Sequence, residues 1–431
     1  MDLKDRKEQL ASEVKSDSGG RTETIPFRGN ATSFPVVKIN SGVPLLNHDN
    51  SRLSAQLKGH PKAALVHNDP FSAEAQEILS SLLRRTVKFA ALKQELQDLG
   101  QQHPGIITTD GVLINGNTRL VATRDIGQDG FLVAVLPENA TSEDFLNIEM
   151  DLQVRKLTHQ DYTFTNELLL IDRYMEAHSE TDLFTRMNWQ RGGPRKLLER
   201  QRWLALIEEI RGLTDTPLSY EFFDERSEML KNLDAKYEEI KAYSVAEAES
   251  MKWLRITGVL VGANKDQVRA LEPEFIEEEL VKRVDKAGED FLQSHVKPIE
   301  DDLDDLIDSD GASPVESVDL RSAAREILTR AISPDGGLND DKLEEFSGIR
   351  TAIRRGADAV IDREKRAKEL KAPSEILKEA RLSLEEVVEN LPRLFNESGF
   401  NSSKFEYEAD KVERALKRLT EELKRLSDEV D

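Results

Sequence analysis

Residues 110–122 contain the motif from which the fold can be inferred. They are Asp110-Gly111-Val112-Leu113-Ile114-Asn115-Gly116-Asn117-Thr118-Arg119-Leu120-Val121-Ala122. The apolar run 112–114 is typical of a buried strand, and the residues from Asn117 to Ile126 are typical of a short helix. Gly116 lies between them, where the lack of a Cβ allows a sharp turn and a close approach to an anion. The sequence therefore predicts a strand–turn–helix unit around Gly116.

This unit has the features of a phosphate-binding loop. The N–H groups in the first turn of a helix have no acceptor inside the helix and point outwards, where they can bind phosphate oxygens. Arg119 adds a guanidinium within the same turn. We expect phosphate to bind at Gly116, Asn117, Thr118 and Arg119.

The surrounding residues predict an α+β domain. Ser72 is a good N-cap for a long helix that ends at Gly100. The other expected elements are strands at 34–40, 106–108, 112–114 and 131–136, and helices at 117–126 and about 141–152.

The loop resembles the nucleotide-binding loop of the ParB-like family, which has the form Gly-Glu-Arg-Arg-x-x-Ala. Gly116, Arg119 and Ala122 match this pattern, whereas Asn117 and Thr118 replace its Glu and its first Arg. With the order of elements, the resemblance covers residues 34–170. It implies a ParB/sulfiredoxin-like domain that binds CTP or ATP with Mg²⁺. Because Asn117 has no carboxylate, the loop supports phosphate binding better than hydrolysis.

The family's second motif, Asn-x-Gln-Arg, has its candidate counterpart in residues 148–157, with Gln153 and Arg155 as the residues of interest. The Asn position of the motif falls on Asp151 in one register and on Met150 in another. Asp110, Glu149 and Asp151 are the carboxylates near the loop that could serve a catalytic or metal-binding role, and the identity of any metal is left open. The chain has no cysteine, which excludes disulfides, thiolate metal sites and sulfiredoxin catalysis.

Beyond residue 158 the sequence predicts a largely all-α region. Expected helices lie at about 159–178, 193–211, 221–242, 245–258, 273–292, 318–332, 339–370 and 373–390. The last segment carries a heptad seam that predicts a coiled coil and a homo-oligomer. Its residues are Phe405, Ala409, Val412, Leu416, Leu419, Leu423, Leu426 and Val430.

These patterns divide the chain into five parts. They are a mobile arm (1–30), the ParB-like domain (31–157), a helical domain resembling a helix-turn-helix (158–295), an acidic linker (296–317), and a helical C-terminal region (318–431) with the coiled-coil segment 405–430.

The formal net charge of −22 is unevenly distributed, because residues 1–212 contribute −3 and the remainder −19. Residues 186–202 contain six basic side chains against one acidic side chain. In ParB-like proteins a helix-turn-helix follows the nucleotide domain, so these basic residues are expected to contact DNA phosphates. Alternatively, they pair with acidic residues of the same chain. The six are Arg186, Arg191, Arg195, Lys196, Arg200 and Arg202.

The sequence thus predicts a ParB-like, DNA-associated protein of the bacterial type that binds a nucleotide or phosphate. Two alternatives remain open: a ParB-like nuclease or NTPase of a plasmid-maintenance or phage-defence system, and a non-catalytic adaptor that oligomerises. No apolar run approaches 18 residues and residues 1–7 are charged, so neither a membrane span nor a secretory signal is expected, and the expected location is cytoplasmic.

Overall fold

A computed structural model describes residues 3–16, 20–86, 88–154, 163–298, 316–395, 397 and 399–428. The chain forms two compact units, residues 1–358 and 359–431.

The first unit begins with a six-stranded mixed sheet. Its strands are β1 (Thr22–Phe27), β2 (Asn30–Asn40), β3 (Leu45–Leu46), β4 (Gly105–Ile107), β5 (Val112–Asn115) and β6 (Gly130–Val135). Their order is β1-β2-β6-β4-β5-β3. Strand β4 is parallel to β6, β3 is parallel to β5, and the other neighbours are antiparallel. The strands expected near residues 106, 112 and 131 are therefore confirmed.

Helices cover both faces of this sheet. They are α1 (Leu3–Ser16), α2 (Ser54–Lys58), α3 (Ala63–Asn68), α4 (Ala73–Arg84), α5 (Phe89–Leu99), α6 (Asn117–Asp125) and α7 (Ser142–Val154). Strand β5 is buried from both sides, as its apolar run predicts. Leu113 packs with Leu79 and Leu120 under α4 and α6, and Ile114 packs with Ile148 of α7 on the opposite face.

Two expectations for this region are wrong. The described residues of the expected mobile arm 1–30, which are 3–16 and 20–30, are ordered in the fold: α1 inserts Leu10 into the core, and β1 pairs with β2. The helix expected from residue 72 to 99 is divided into α4 and α5. Ser72 does cap α4, and the division allows Phe89 to enter the same core as Leu79.

The rest of the first unit is mainly helical. Its elements are α8 (Phe164–Ala177), α9 (Glu180–Arg186), α10 (Gly193–Arg211), α11 (Tyr220–Asp224), α12 (Ser227–Lys241), α13 (Val245–Leu260), α14 (Lys265–Arg269), a π-helical turn (Ile276–Leu280), α15 (Lys286–Gln293), the paired strands β7 (Val296–Pro298) and β8 (Glu316–Val318), α16 (Leu320–Ala331), α17 (Asp340–Leu343), a 3₁₀ turn (Glu344–Phe346) and the start of α18 (Ser347–Leu394). Among the described helices, none is both long and apolar enough to cross a membrane.

The division of the chain differs from the expected one. Residues 318–358 belong to the first unit, because α16 packs against α13 and buries Ile327 and Leu328. Most of the expected acidic linker, residues 299–315, lies outside the described residues.

The second unit contains the C-terminal part of α18 and the helix α19 (Ser402–Asp428). Residues 347–370 and 373–390, expected in two separate helices, form one helix, in which Pro373 removes one N–H donor without ending the helix. Residues 340–343 form the separate helix α17. Phe395, Phe400 and Phe405 pack in series at the turn between α18 and α19 with tilted rings, whose centroids lie 5.5 and 5.6 Å apart.

Candidate phosphate-binding site

Gly116 makes the turn from β5 into α6. Its φ of 96° lies in the left-handed region, where a Cβ is unfavourable. A Cβ built at Gly116 would also lie 3.0 Å from the Cα of Gly105 on β4. Both the positive φ of Gly116 and the close approach of Gly105 therefore favour glycine at this position.

The first turn of α6 presents backbone donors. The first bond within the helix joins the N–H of Leu120 to the carbonyl of Gly116, 2.9 Å away. The N–H groups of Asn117, Thr118 and Arg119 precede that bond, so they have no acceptor inside the helix. This is the arrangement expected for anion binding at a helix N-terminus.

The side chain of Asn117 has a structural role instead. It is buried, its Oδ1 accepts the N–H of Asn47 at 2.9 Å, and its Nδ2 donates to the carbonyl of Leu113 at 3.1 Å. Asn117 therefore fastens the loop after β3 to the end of β5. Its contribution to a phosphate site is the backbone N–H and not the carboxamide.

Arg119 is half-buried, and its Nη1 donates to the carbonyl of Pro104 at 3.3 Å. Burial, and then the positive charge of Arg52, lower the pKa of Arg119 to about 10. Arg119 stays cationic at neutral pH, and a bound anion would offset the cost of burying its positive charge. The guanidinium of Arg119 folds back against the turn.

Arg52 was not predicted from the sequence. It lies in the loop of residues 47–53, which joins β3 to α2, and its charge acts on Arg119. The loop that carries Arg52 is bonded to the first turn of α6 through Asn47 and Asn117. This end of α6 therefore combines three first-turn N–H groups, the guanidinium of Arg119 and the nearby positive charge of Arg52. Such a set suits a phosphate group, since each guanidinium offers a planar fork of donors.

Side chains from neighbouring helices hold the loop 47–53 in place. Glu149 of α7 accepts the N–H and the hydroxyl of Ser51, both at 2.9 Å. Arg173 of α8 donates to the carbonyl of Asp49 at 2.8 Å. The loop is thus tied to the helices on both sides of the phosphate-binding turn.

A cleft of about 490 Å³ lies beside this loop, on the α7 side of the sheet. Its floor is apolar, with Ile114 and Phe145, and its rim includes Asn47, Asp110 and Glu149. Because Asn47 also bonds to Asn117, the cleft adjoins the first turn of α6.

The three candidate carboxylates are not gathered at one point. Asp110 and Glu149 line the cleft, but Asp151 forms an ion pair with Arg186 of α9 at 2.6 Å. Within the described ranges, no group of three His, Asp or Glu side chains is placed to hold a metal ion. Gln153 lies in the last turn of α7, and Arg155 lies outside the described residues.

Three of the six basic residues expected to contact DNA are engaged within the chain. Arg186 pairs with Asp151. Arg200 pairs with Glu167 of α8 at 3.0 Å and lies 4.4 Å from the ring centre of Trp189. Arg202 pairs with Asp234 of α12 through two bonds of 2.8 Å. For these three residues the intramolecular alternative is the one that the contacts favour.

The other three lie at the N-terminal end of α10. Arg191 and Arg195 are exposed, and Lys196 is half-buried. Arg195 has one partner, Glu199, in an exposed i,i+4 pair that contributes little stability. The helices expected at 159–178 and 193–211 correspond to α8 and α10, with the short helix α9 between them and Pro194 in the first turn of α10.

No family model matches the chain, and no curated protein matches it. Among solved structures, the chain is similar to the C-terminally truncated chromosome-partitioning protein ParB from Caulobacter crescentus, complexed with CTP-gamma-S. The two chains are 14% identical, and the match covers 49% of this chain and 96% of that chain with a TM-score of 0.17. A TM-score this low does not establish a shared fold.

Proposed function

We propose that the chain binds the phosphates of a nucleotide at the N-terminus of α6. The observation that carries the proposal is the position of Arg119 beside the first-turn N–H groups of α6, next to the loop that carries Arg52 and is bonded to Asn117 through Asn47. Burial, and then the positive charge of Arg52, lower the pKa of Arg119 there. An anion placed there offsets both effects. The resemblance of residues 116–122 to the ParB-like loop makes CTP and ATP the first nucleotides to test.

The proposal covers binding and not hydrolysis. Asn117 supplies no carboxylate, and its carboxamide is already bonded to Asn47 and Leu113. Glu149 is bonded to Ser51. Mg²⁺ is usually held by one or two carboxylates together with substrate phosphates. The described residues do not fit a resident Mg²⁺ site, so any Mg²⁺ is expected to arrive with the nucleotide.

The test compares two arginines of the same helix. Arg119→Ala should weaken binding of CTP, ATP or inorganic triphosphate about tenfold to a hundredfold, because the variant cannot make a charge-assisted hydrogen bond to phosphate. Arg124 is the matched control, since it is also largely buried but bonds to the carbonyls of Ser41 and Pro44. Isothermal titration calorimetry of the full chain measures both.

Arg124→Ala should lower the melting temperature and leave the affinity unchanged. If Arg119→Ala binds as tightly as the wild type, the first turn of α6 is not the phosphate site. If the wild type binds none of the three compounds, the adaptor function replaces the proposal.

We further propose that the N-terminal end of α10 contacts DNA through Arg191, Arg195 and Lys196. These side chains carry the basic charge of residues 186–202 that ion pairs across helices do not occupy. Contacts of this kind supply affinity without sequence preference. A second copy of the chain is the proposed partner of α19, whose apolar seam is exposed.

A further inference from the structure

The loop 47–53 has no regular secondary structure, yet it carries one of the two guanidinium groups of the proposed site. Its backbone therefore has to be held by groups outside the loop if Arg52 is to face Arg119. Binding groups are held accurately only when their supporting contacts are themselves fixed.

One buried side chain of α8 makes a supporting contact directly to the backbone of Arg52. Asn166, which is 1% exposed, donates from Nδ2 to the carbonyl of Arg52 itself at 2.9 Å. Its Oδ1 accepts the N–H of Ala55 at 3.0 Å, in the first turn of α2. The same Nδ2 also lies 3.2 Å from Oε1 of Gln56. A single carboxamide thus fixes both the peptide group that follows Arg52 and the start of the next helix.

This contact spans more than a hundred residues of sequence, because Arg52 and Asn166 lie 114 positions apart. The next residue of α8, Glu167, holds Arg200 of α10 at 3.0 Å. The adjacent residues Asn166 and Glu167 of α8 therefore contact the loop 47–53 and helix α10, respectively.

We propose that Asn166 is a positioning residue that holds Arg52 against the phosphate-binding turn, so that phosphate binding is coupled to helix α8. The inference rests on the proposed function. It adds a role for a residue that makes no contact with the phosphate.

The test uses the full chain with inorganic triphosphate as the probe and calorimetry as the measurement. Asn166→Ala should weaken binding about tenfold, because Arg52 is no longer held in place. Thr165→Val is the matched control. Thr165 is equally buried and belongs to the same turn, but its hydroxyl bonds to Asp224 at 2.9 Å and not to the loop. The control should lower the melting temperature and change the affinity less than about twofold.

A double-mutant cycle separates positioning from general destabilisation. In an Arg52→Gln background, Asn166→Ala should cause no further loss of affinity, since its effect passes through Arg52. Full additivity of the two losses overturns the proposal, as does wild-type affinity in Asn166→Ala. If Asn166→Ala does not fold, Asn166→Asp keeps the acceptor for Ala55 and removes the donor to Arg52. Wild-type affinity in that variant also overturns the proposal.

Failure of the proposed function gives a different result. In that case the wild type itself does not bind triphosphate, and the role of Asn166 is rejected with it. If only the positioning role fails, the wild type binds and Arg119→Ala still loses affinity.

Discussion

Gly116 and Gly127 provide a matched pair of glycines in the left-handed region, at φ 96° and 70°. An added Cβ meets nothing within 4 Å at Gly127, whereas at Gly116 it meets the backbone of Gly105 at 3.0 Å. The two positions therefore differ in packing and not in the need for a positive φ. Comparing them separates the conformational cost from the steric cost at the phosphate-binding turn.

Gly127→Ala should reduce the free energy of unfolding by about 1–2 kcal/mol, which is the conformational cost alone. Gly116→Ala should cost about 1–3 kcal/mol more, because β5 or β4 must also move. Urea denaturation followed by circular dichroism measures both values. Equal losses would show that the β4 backbone yields at no cost, and that the close approach does not constrain the turn.

Asp224 of α11 is a half-buried carboxyl that accepts hydrogen bonds from the N–H and the hydroxyl of Thr165. Burial, as the largest effect, raises the pKa of Asp224 above its ordinary value of 3.8. Between the ordinary and the raised pKa, the native state binds a proton that the unfolded chain releases. Stability therefore decreases as the pH rises through that window, and above it the full cost of the buried charge remains.

Asp224→Asn should raise the melting temperature at about pH 7.5, because the amide oxygen still accepts both bonds without a buried charge. The gain should shrink as the pH is lowered through the raised pKa of Asp224, because the wild-type carboxyl then becomes protonated. Differential scanning calorimetry over this range measures the difference. A gain that is the same at every pH would mean that the carboxyl does not titrate there.

The sequence predicted the secondary-structure elements that have a strong local pattern. It did not predict the elements that form only through contacts with distant residues. Strand β5 and helix α6 follow from a continuous apolar run, a glycine and a polar first turn. Strand β3 has only two residues, Leu45 and Leu46, and becomes a strand by pairing with β5. Helix α1 is polar in sequence, and the burial of Leu10 shows its place in the fold.

The candidate site was predicted where its residues are consecutive and missed where they are distant. Gly116 and Arg119 lie within one motif. Arg52 and Asn166 lie 67 residues before Arg119 and 47 residues after it. They are brought to the site only by folding, because Asn166 bonds to Arg52 and the loop of Arg52 bonds to the first turn of α6. A polar loop after the apolar run 43–46 was the available signal for Arg52. No local pattern distinguishes Asn166 from an ordinary helix residue.

Among the described residues, the six basic side chains of residues 186–202 form two sets, three without ion pairs to other helices and three with them. We expect only the first of these sets to bind DNA. Neutralising Arg191, Arg195 and Lys196 together should weaken duplex DNA binding for all sequences. The slope of log affinity against log salt should fall by about 0.9 for each phosphate that the variant no longer neutralises. The melting temperature should change less than in the second set, since Arg191 and Arg195 are exposed and Lys196 makes one cation–π contact, 5.8 Å from the ring centre of Trp189.

The second set, Arg186, Arg200 and Arg202, is the control for this experiment. Each pairs with a carboxylate on another helix, so its neutralisation should lower the melting temperature. Fluorescence anisotropy at several salt concentrations measures the DNA affinity of both triple variants. An unchanged slope in the first variant, or no DNA binding by the wild type at low salt, rejects this interface.

Across the whole molecule, the acidic charge is concentrated in the second half, which carries −19 of the net −22. Such a chain repels a polyanion over most of its surface at low salt. DNA could then approach only where basic side chains dominate locally, as they do at the start of α10. Because acidic surfaces repel one another, two copies of the chain are expected to associate through apolar contacts that keep those surfaces apart.

The helix α19 is the clearest candidate for that association. None of its described residues is buried, and its seam exposes large apolar side chains. They are Val412, Leu416, Leu419, Leu423 and Leu426, whereas Val430 lies outside the described residues. Leu416 lines a groove together with Leu384 and Val388 of α18, and the seam nevertheless stays exposed. Burial of the exposed seam against a second copy would therefore stabilise the helix.

The decisive variant places charge in the seam, and its control places the same charge beside it. Leu416→Glu with Leu423→Glu should convert the assembly to a monomer in sedimentation velocity at micromolar concentration. Each carboxylate would otherwise be buried in the contact between helices. Lys417→Glu with Lys424→Glu puts glutamates at adjacent positions outside the seam, with a larger change in net charge, and should leave the assembly intact. If both variants dissociate, charge repulsion rather than the seam controls association. If the wild type is already a monomer, the helix does not mediate self-association.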